Sequence, residues 1–246
     1  MNTVLLPQKH SVQFGSQKID FDLLTSRRST LGISVYPDLR VTVTAPTHAN
    51  LERIEKKVIK KAPWIIRKKL FFSDFLPLPK PKEFKSGESF YYLGRQYRLR
   101  VKASKTESVK LNGKFIEIRA PKAITQSKRT ELLTEWYLEK AKAYLKNRFD
   151  LCLEKYFKHQ SLKPNQLIIR KMNNRWGSFT PNRNIILNPE LMRLPSHCVD
   201  YVIVHEICHL SQPRHNKAFW TLLERVLPHW RIRRKRMEAF FESNIT

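Results

Sequence analysis

Cysteine is scarce in this chain, and the three present, Cys152, Cys198 and Cys208, are odd in number, widely spaced and form no C-x-x-C. A disulfide framework is thereby excluded, and a reducing, cytoplasmic setting is expected. Glycine is also rare, at 6 residues, while aromatics reach 11%, which argues against wholesale disorder. No apolar run approaches the roughly 18 residues that a membrane-spanning helix needs. The opening Met1-Asn2-Thr3-Val4-Leu5-Leu6-Pro7-Gln8-Lys9 lacks the charged start and long apolar stretch of a signal peptide. Acidic residues are in deficit: 21 Asp and Glu stand against 47 Lys and Arg, a formal net charge of +26. Such a surface attracts polyanions, so nucleic acid, ribosomes and anionic membrane surfaces enter as partners. Solvated basic faces account for the same excess.

What is present is enough apolar material, 41% of 246 residues, for one large domain or two small ones. Short β-rich runs fill the front of the chain: 12–14, 19–24, 31–36 and 39–44, with Pro37-Asp38 as a turn. The period then becomes helical through Leu51, Ile54, Val58 and Ile59. Pro63 interrupts it, and a second short helix is expected over 64–72. Three prolines in residues 76–82 make an extended connector and a soft boundary. Strands resume at 89–93 and 96–101 around Gly94-Arg95, and at 109–111 and 115–119 around Asn112-Gly113. A long helix follows from Ser127, with Leu132, Leu133, Trp136, Tyr137, Ala141, Tyr144 and Leu145 on its apolar stripe. Two strands at 166–172 and 184–187 flank a loop carrying Arg175-Trp176-Gly177-Ser178. Helices then span about 198–210, 217–226 and 232–242. No internal repeat is visible. The expectation is an α+β protein, with a β-rich N-terminal domain (1–125, including a helical insertion) and a mainly helical domain (126–246) bearing a small edge sheet.

The chemistry concentrates in His205-Glu206-Ile207-Cys208-His209, an H-E-x-x-H placed after the apolar run Tyr201-Val202-Ile203-Val204. Positions four apart share a helix face, so both imidazoles reach one ion. Glu206 lies one step round, placed to contact a water rather than the metal. Catalytic zinc needs a third protein ligand and an open position. His215 follows His209 by six residues, and Pro213 between them turns the chain back. Glu224 and Glu238 are rival third ligands, less favoured for ligand type and distance. A chance H-E-x-x-H on a solvated helix face is the bland alternative, but the apolar flanks bury this helix. Two imidazoles and a carboxylate are costly to bury without a partner. A Zn2+ ion in this setting polarises a carbonyl and activates water, with Glu206 as general base. Arg214, Tyr201 and His229 are candidates to stabilise a developing oxyanion. Cys208 points away from the histidine face.

The set Arg175-Trp176-Gly177-Ser178, Ile186-Leu187-Asn188, Pro195, Asp200 through Leu210, His215 and Phe219-Trp220 resembles the YgjP-like metallopeptidases, closely from Gln166 onward and more loosely before it. It is similar, more distantly, to SprT-like and WLM peptidases, some of which act on proteins attached to DNA. The resemblance implies a zincin-like catalytic domain acting on protein or peptide substrates, with His205, His209 and His215 as zinc ligands and Glu206 as the base. The metzincin pattern carries Gly where this chain has Gln212, so that clan is not assigned. The family often has a small residue or Cys after the Trp-Gly-Ser, where this chain has Phe179, which removes any metal role there. Trp176, Gly177 and Arg214 are the candidate cleft residues, although Trp176 serves equally as core. In zincin folds an edge strand beside the active helix pairs with extended substrate, and 184–187 or 166–172 is expected to supply it. Phe219 and Trp220 are expected behind the metal helix. Basic clusters at 53–69, 80–85 and 231–236 support an alternative, a nucleic-acid-associated protein whose zinc site is structural or vestigial. No recognised nucleic-acid motif accompanies them.

Overall fold

A computed structural model of the chain describes residues 7–73, 76–77, 82–158, 162–172 and 175–244, with side chains as far as 240. The proline-rich connector falls largely outside these residues, as does part of the 80–85 cluster. The protein is α+β, with five α-helices and three sheets among the described residues. It divides into two compact units at Lys80–Pro81, inside that connector, rather than at 125/126.

The first unit contains β1 (Gln8–Phe14), β2 (Gln17–Ser26), β3 (Gly32–Val35) and β4 (Val41–Pro46) in the order β1-β2-β4-β3, followed by α1 (Leu51–Ser73). The second opens with β5 (Ser89–Tyr92), β6 (Arg95–Ala103), β7 (Ser108–Asn112) and β8 (Phe115–Ala120), in the order β5-β6-β8-β7, followed by α2 (Gln126–Phe157). These are the same topology twice. In each, the second and fourth strands pair in parallel and the third runs antiparallel to the fourth. The agreement reaches single residues. Ala45-Pro46 and Ala120-Pro121 close the fourth strands, and each proline carbonyl accepts from an N–H three residues on, Ala49 at 3.0 Å and Ile124 at 3.1 Å. One residue further, Asn50 and Thr125 cap the helices through side-chain oxygens that accept from Glu52 and Lys128 N–H groups. Val41, Val43 and Ala45 are buried in one unit, as Ile116, Ile118 and Ala120 are in the other. The repeat escapes the sequence because only turn, cap and apolar classes are shared.

Two expectations about helices and domains change. Pro63 lies inside a single helix, α1, and does not break it. Its ring faces solvent, while Ile54, Val58, Ala62 and Ile65 keep an unbroken buried face across it. Packing there outweighs the lost hydrogen bond. The second four-stranded sheet belongs with the helices, because Leu99, Ile116 and Ile118 share one core with Leu133, Tyr137 and Leu145 of α2.

That core also contains the small sheet of β9 (Leu167–Ile169), β10 (Gly177–Phe179) and β11 (Ile185–Leu187), a 3-10 helix (Pro189–Arg193), α3 (Ser196–Cys208), α4 (Lys217–Val226) and α5 (Trp230–Asn244). Helix α3 is buried almost all round, as its apolar run requires. The tip of the β5–β6 hairpin seats against its start. Leu93 and Gly94 both have positive φ, at 49° and 78°. Their N–H groups donate to Met192 and Arg193 carbonyls at 2.6 and 3.2 Å. A Cβ on Gly94 would lie 2.8 Å from Pro195, so glycine is required there for both conformation and space. Among the described residues no helix is long and apolar enough to cross a membrane.

One buried carboxylate carries a pH signature. Glu117 on β8 is 2% exposed and sits between Lys102 at 2.7 Å and Arg119 at 2.9 Å. Hydrogen bonds from these two cations hold its pKa down to about 2, from an ordinary 4.5. A depressed folded-state pKa contributes stability above the unfolded value, lost as pH falls through the folded one. Glu117→Gln is therefore expected to flatten the acid limb of the unfolding midpoint between pH 4.5 and about 2. A variant curve parallel to wild type across that window would refute it.

Candidate metal centre

The last turn of α3 carries His205 and Glu206, and His209 caps the helix. Backbone bonds from Ser211 and Gln212 to the Cys208 carbonyl tighten the exit. After Pro213 the chain turns back, and His215 immediately precedes Asn216, whose side chain accepts from the Phe219 N–H at 2.9 Å and starts α4. The helix cap thus fixes the return of the third histidine.

The three histidines converge. One ring nitrogen from each lies within 4.8 Å of the other two, and among the described residues no other trio of His, Cys, Asp or Glu does so. The His205 and His215 Nε2 atoms are 2.9 Å apart. His209 Nδ1 lies 3.0 Å from the Gln212 carbonyl. Since a carbonyl only accepts, Nδ1 carries the proton and Nε2 keeps its lone pair. Phe219, fully buried, packs against all three rings at centroid distances of 4.9, 4.6 and 4.7 Å. Phe179 stacks on His209 at 5.9 Å and Trp220 on His215 at 5.5 Å.

Burial, first of all, depresses the pKa of each histidine, that of His205 to about 3. Neighbouring imidazoles and Arg234 add to the effect at His205, and Arg234 at His215. The rings are thereby kept neutral, the form that ligates metal. Nitrogen donors at this spacing, neutral and with one tautomer fixed by a carbonyl, fit a borderline-soft dication such as zinc.

Glu206 is 6% exposed. Burial pushes its carboxyl up to about 8, against an opposing pull from Arg175. Gly177 backs it: a Cβ on that residue would stand 2.6 Å from Glu206 Oε1. Trp176 is partly buried against the core. Arg214 lies in the exposed loop, and its carbonyl accepts from the Asn216 N–H at 2.8 Å. The cation whose charge reaches His205, His215 and Tyr201 is Arg234 of α5. Only the approach of α5 to α3 brings it there, and local spacing gives no signal of that. Tyr201 is buried, with its ring edge to His205 at 6.0 Å, whereas His229 is exposed at the start of α5. Neither rival acid joins the cluster. Glu224 accepts from Trp230 Nε1 at 2.8 Å and from Arg231, and Glu238 from Arg234 at 3.0 Å.

The edge strand is a further difference. Gly177–Phe179, expected to lie in a loop, forms β10, and β10 is the outer strand beside α3. Of the two strands expected to present an edge, β11 is central and is closed on both sides, while β9 is an edge strand on the side of the sheet opposite β10. The Trp176 carbonyl accepts from Asn188 and the Thr180 N–H donates to Asn184. By antiparallel alternation, the N–H and C=O groups of Gly177 and Phe179 point to the free edge, which no strand pairs among the described residues.

The sequence profile described as "YgjP-like, metallopeptidase domain" matches residues 29–240. No curated protein sequence matches the chain. Among solved structures, the metallopeptidase zymogen of Pyrococcus abyssi abylysin aligns with 42% of this chain and 99% of its own, at 18% identity and a TM-score of 0.35.

Proposed function

This chain belongs to the YgjP-like metallopeptidase family, and from that premise we propose that it hydrolyses peptide bonds with zinc held by His205, His209 and His215 and with Glu206 as general base. The observation that carries the reading is the convergence of three neutral imidazoles beside a buried carboxylate. Zinc, when bound, supplies a Lewis acid for the scissile carbonyl and lowers the pKa of water toward about 7. Glu206 accepts the proton of the attacking water and returns it to the leaving amine. A carboxyl raised toward neutrality suits both halves of that exchange. An extended peptide pairs with the free edge of β10 through Gly177 and Phe179, with Trp176 and Arg214 at the borders of the cleft. A purely structural or vestigial zinc site has no use for an acid buried at such cost. The three cysteines are free and buried, which favours a reducing, cytoplasmic setting.

Metal analysis of freshly purified protein tests the reading. Close to one zinc per chain is expected, lost in each of His205→Ala, His209→Ala and His215→Ala. Cleavage of a denatured protein substrate should stop with chelator and return with zinc. A stoichiometry far below one, or cleavage indifferent to chelation, overturns the assignment.

A further inference from the structure

Gly177 is the glycine whose missing side chain is occupied by the base. Gly15, Gly87 and Gly113 have positive φ and open space around them, so turn geometry explains each. Gly177 is different: it lies in a β-strand, in backbone that any residue adopts. What forbids a side chain there is contact. A Cβ would stand 2.6 Å from Glu206 Oε1, 2.7 Å from Cγ and 2.9 Å from Cδ. All three approaches are inside the distance real Cβ atoms keep, and the carboxylate is too enclosed to swing aside freely.

We propose that Gly177 is the positioning residue for Glu206: its bare backbone lets the carboxylate lie directly against the edge strand, between α3 and β10. The proposal rests on the peptidase reading, and it gives the Trp-Gly-Ser segment a task. One face of Gly177 sets where the base sits, while its N–H and C=O point to the free edge where a substrate strand pairs. The proton acceptor and the extended peptide are thus referred to the same residue. A larger residue at 177 displaces the acid relative to the scissile bond, and misplacement of a reacting group by about 1 Å costs on the order of a hundredfold in rate.

A double-mutant cycle in the full-length zinc-loaded protein tests this. Gly177→Ala is expected to lower Tm by roughly 3–6 °C, the size of a modest overpacking in a chain of this length. Glu206→Ala removes all three clashing atoms, so adding Gly177→Ala to that background should shift Tm by less than about 1 °C. Equal losses in both backgrounds overturn the proposal and make Gly177 a requirement of the sheet alone. If Gly177→Ala fails to fold, recovery of folding in the double variant supports it and continued failure overturns it. In activity, Gly177→Ala should bind zinc at wild-type stoichiometry and lose roughly a hundredfold in kcat with KM little changed. Wild-type activity at Gly177→Ala also overturns the proposal. If the wild-type protein cleaves nothing, the peptidase reading falls, and the stability cycle still decides the contact.

Discussion

Glu206→Gln is expected to abolish peptide hydrolysis while the protein keeps its zinc and its fold. The change is nearly isosteric, so it opens no cavity beside Gly177 and leaves the three histidines in place. What it removes is the proton acceptor. A positioned general base contributes roughly 10²–10⁴ in rate, so kcat should fall by that factor or more. Stability should move the other way or stay level. Glu206 is 6% exposed, and burial pushes its carboxyl up to about 8, so ionising it costs more here than in water. A neutral amide relieves that cost, so Tm is expected at or above wild type, the usual trade between a strained functional group and stability. Three readouts on one purified variant separate the explanations. Lost turnover with retained zinc and an unchanged or raised Tm fits a base. Lost zinc identifies Glu206 as a metal-site support. Unimpaired turnover would leave the proposed mechanism without its acceptor.

The centre was legible because its information is local. His205 and His209 share a face by helix period, and His215 returns through Pro213, all within eleven residues. What sequence spacing could not reach depends on elements meeting from far apart. Arg234 comes to the histidines on α5, and Gly177 comes to Glu206 on β10, a strand of 3 residues, too short for alternation to declare itself. For the same reason apolar patterning points to 184–187 and 166–172 as edge strands; the first is the middle of the sheet and the second lies at the edge opposite β10. The change of periodicity predicts a domain boundary at 125/126. Contacts place it at Lys80–Pro81, since the β5–β8 sheet has no core of its own and shares that of α2. The repeated four-strand-and-helix unit illustrates the general limit. Its copies agree in an Ala-Pro strand end, a cap and three buried positions, classes of residue that many unrelated segments also share.

The helix that carries the centre is itself pinned by one charged pair, and cutting that pair is the stability change with the largest expected effect. Arg148 of α2 grips Asp200 of α3 with two parallel bonds, Nε to Oδ1 at 2.6 Å and Nη2 to Oδ2 at 2.7 Å. Asp200 is 7% exposed, and the Cys152 thiol lies 3.8 Å from its Oδ1. Hydrogen bonding to that carboxylate raises the Arg148 pKa above its usual value, so the guanidinium keeps its charge. Removing the cation alone leaves a buried, uncompensated charge, which costs about 3–5 kcal/mol. For a chain of this size that is a fall in Tm of roughly 6–20 °C for Arg148→Ala. The asymmetry of buried ion pairs supplies the control. Arg148→Met with Asp200→Leu removes both charges and keeps the volume, and should recover most of the loss. His205 lies five residues beyond Asp200 on the same helix, so Arg148→Ala should also loosen zinc, read as faster transfer to a chelator, while the double replacement holds it. A Tm within about 1 °C of wild type for Arg148→Ala would mean that water reaches Asp200 and that the apolar packing of α3 alone sets the height of the metal site.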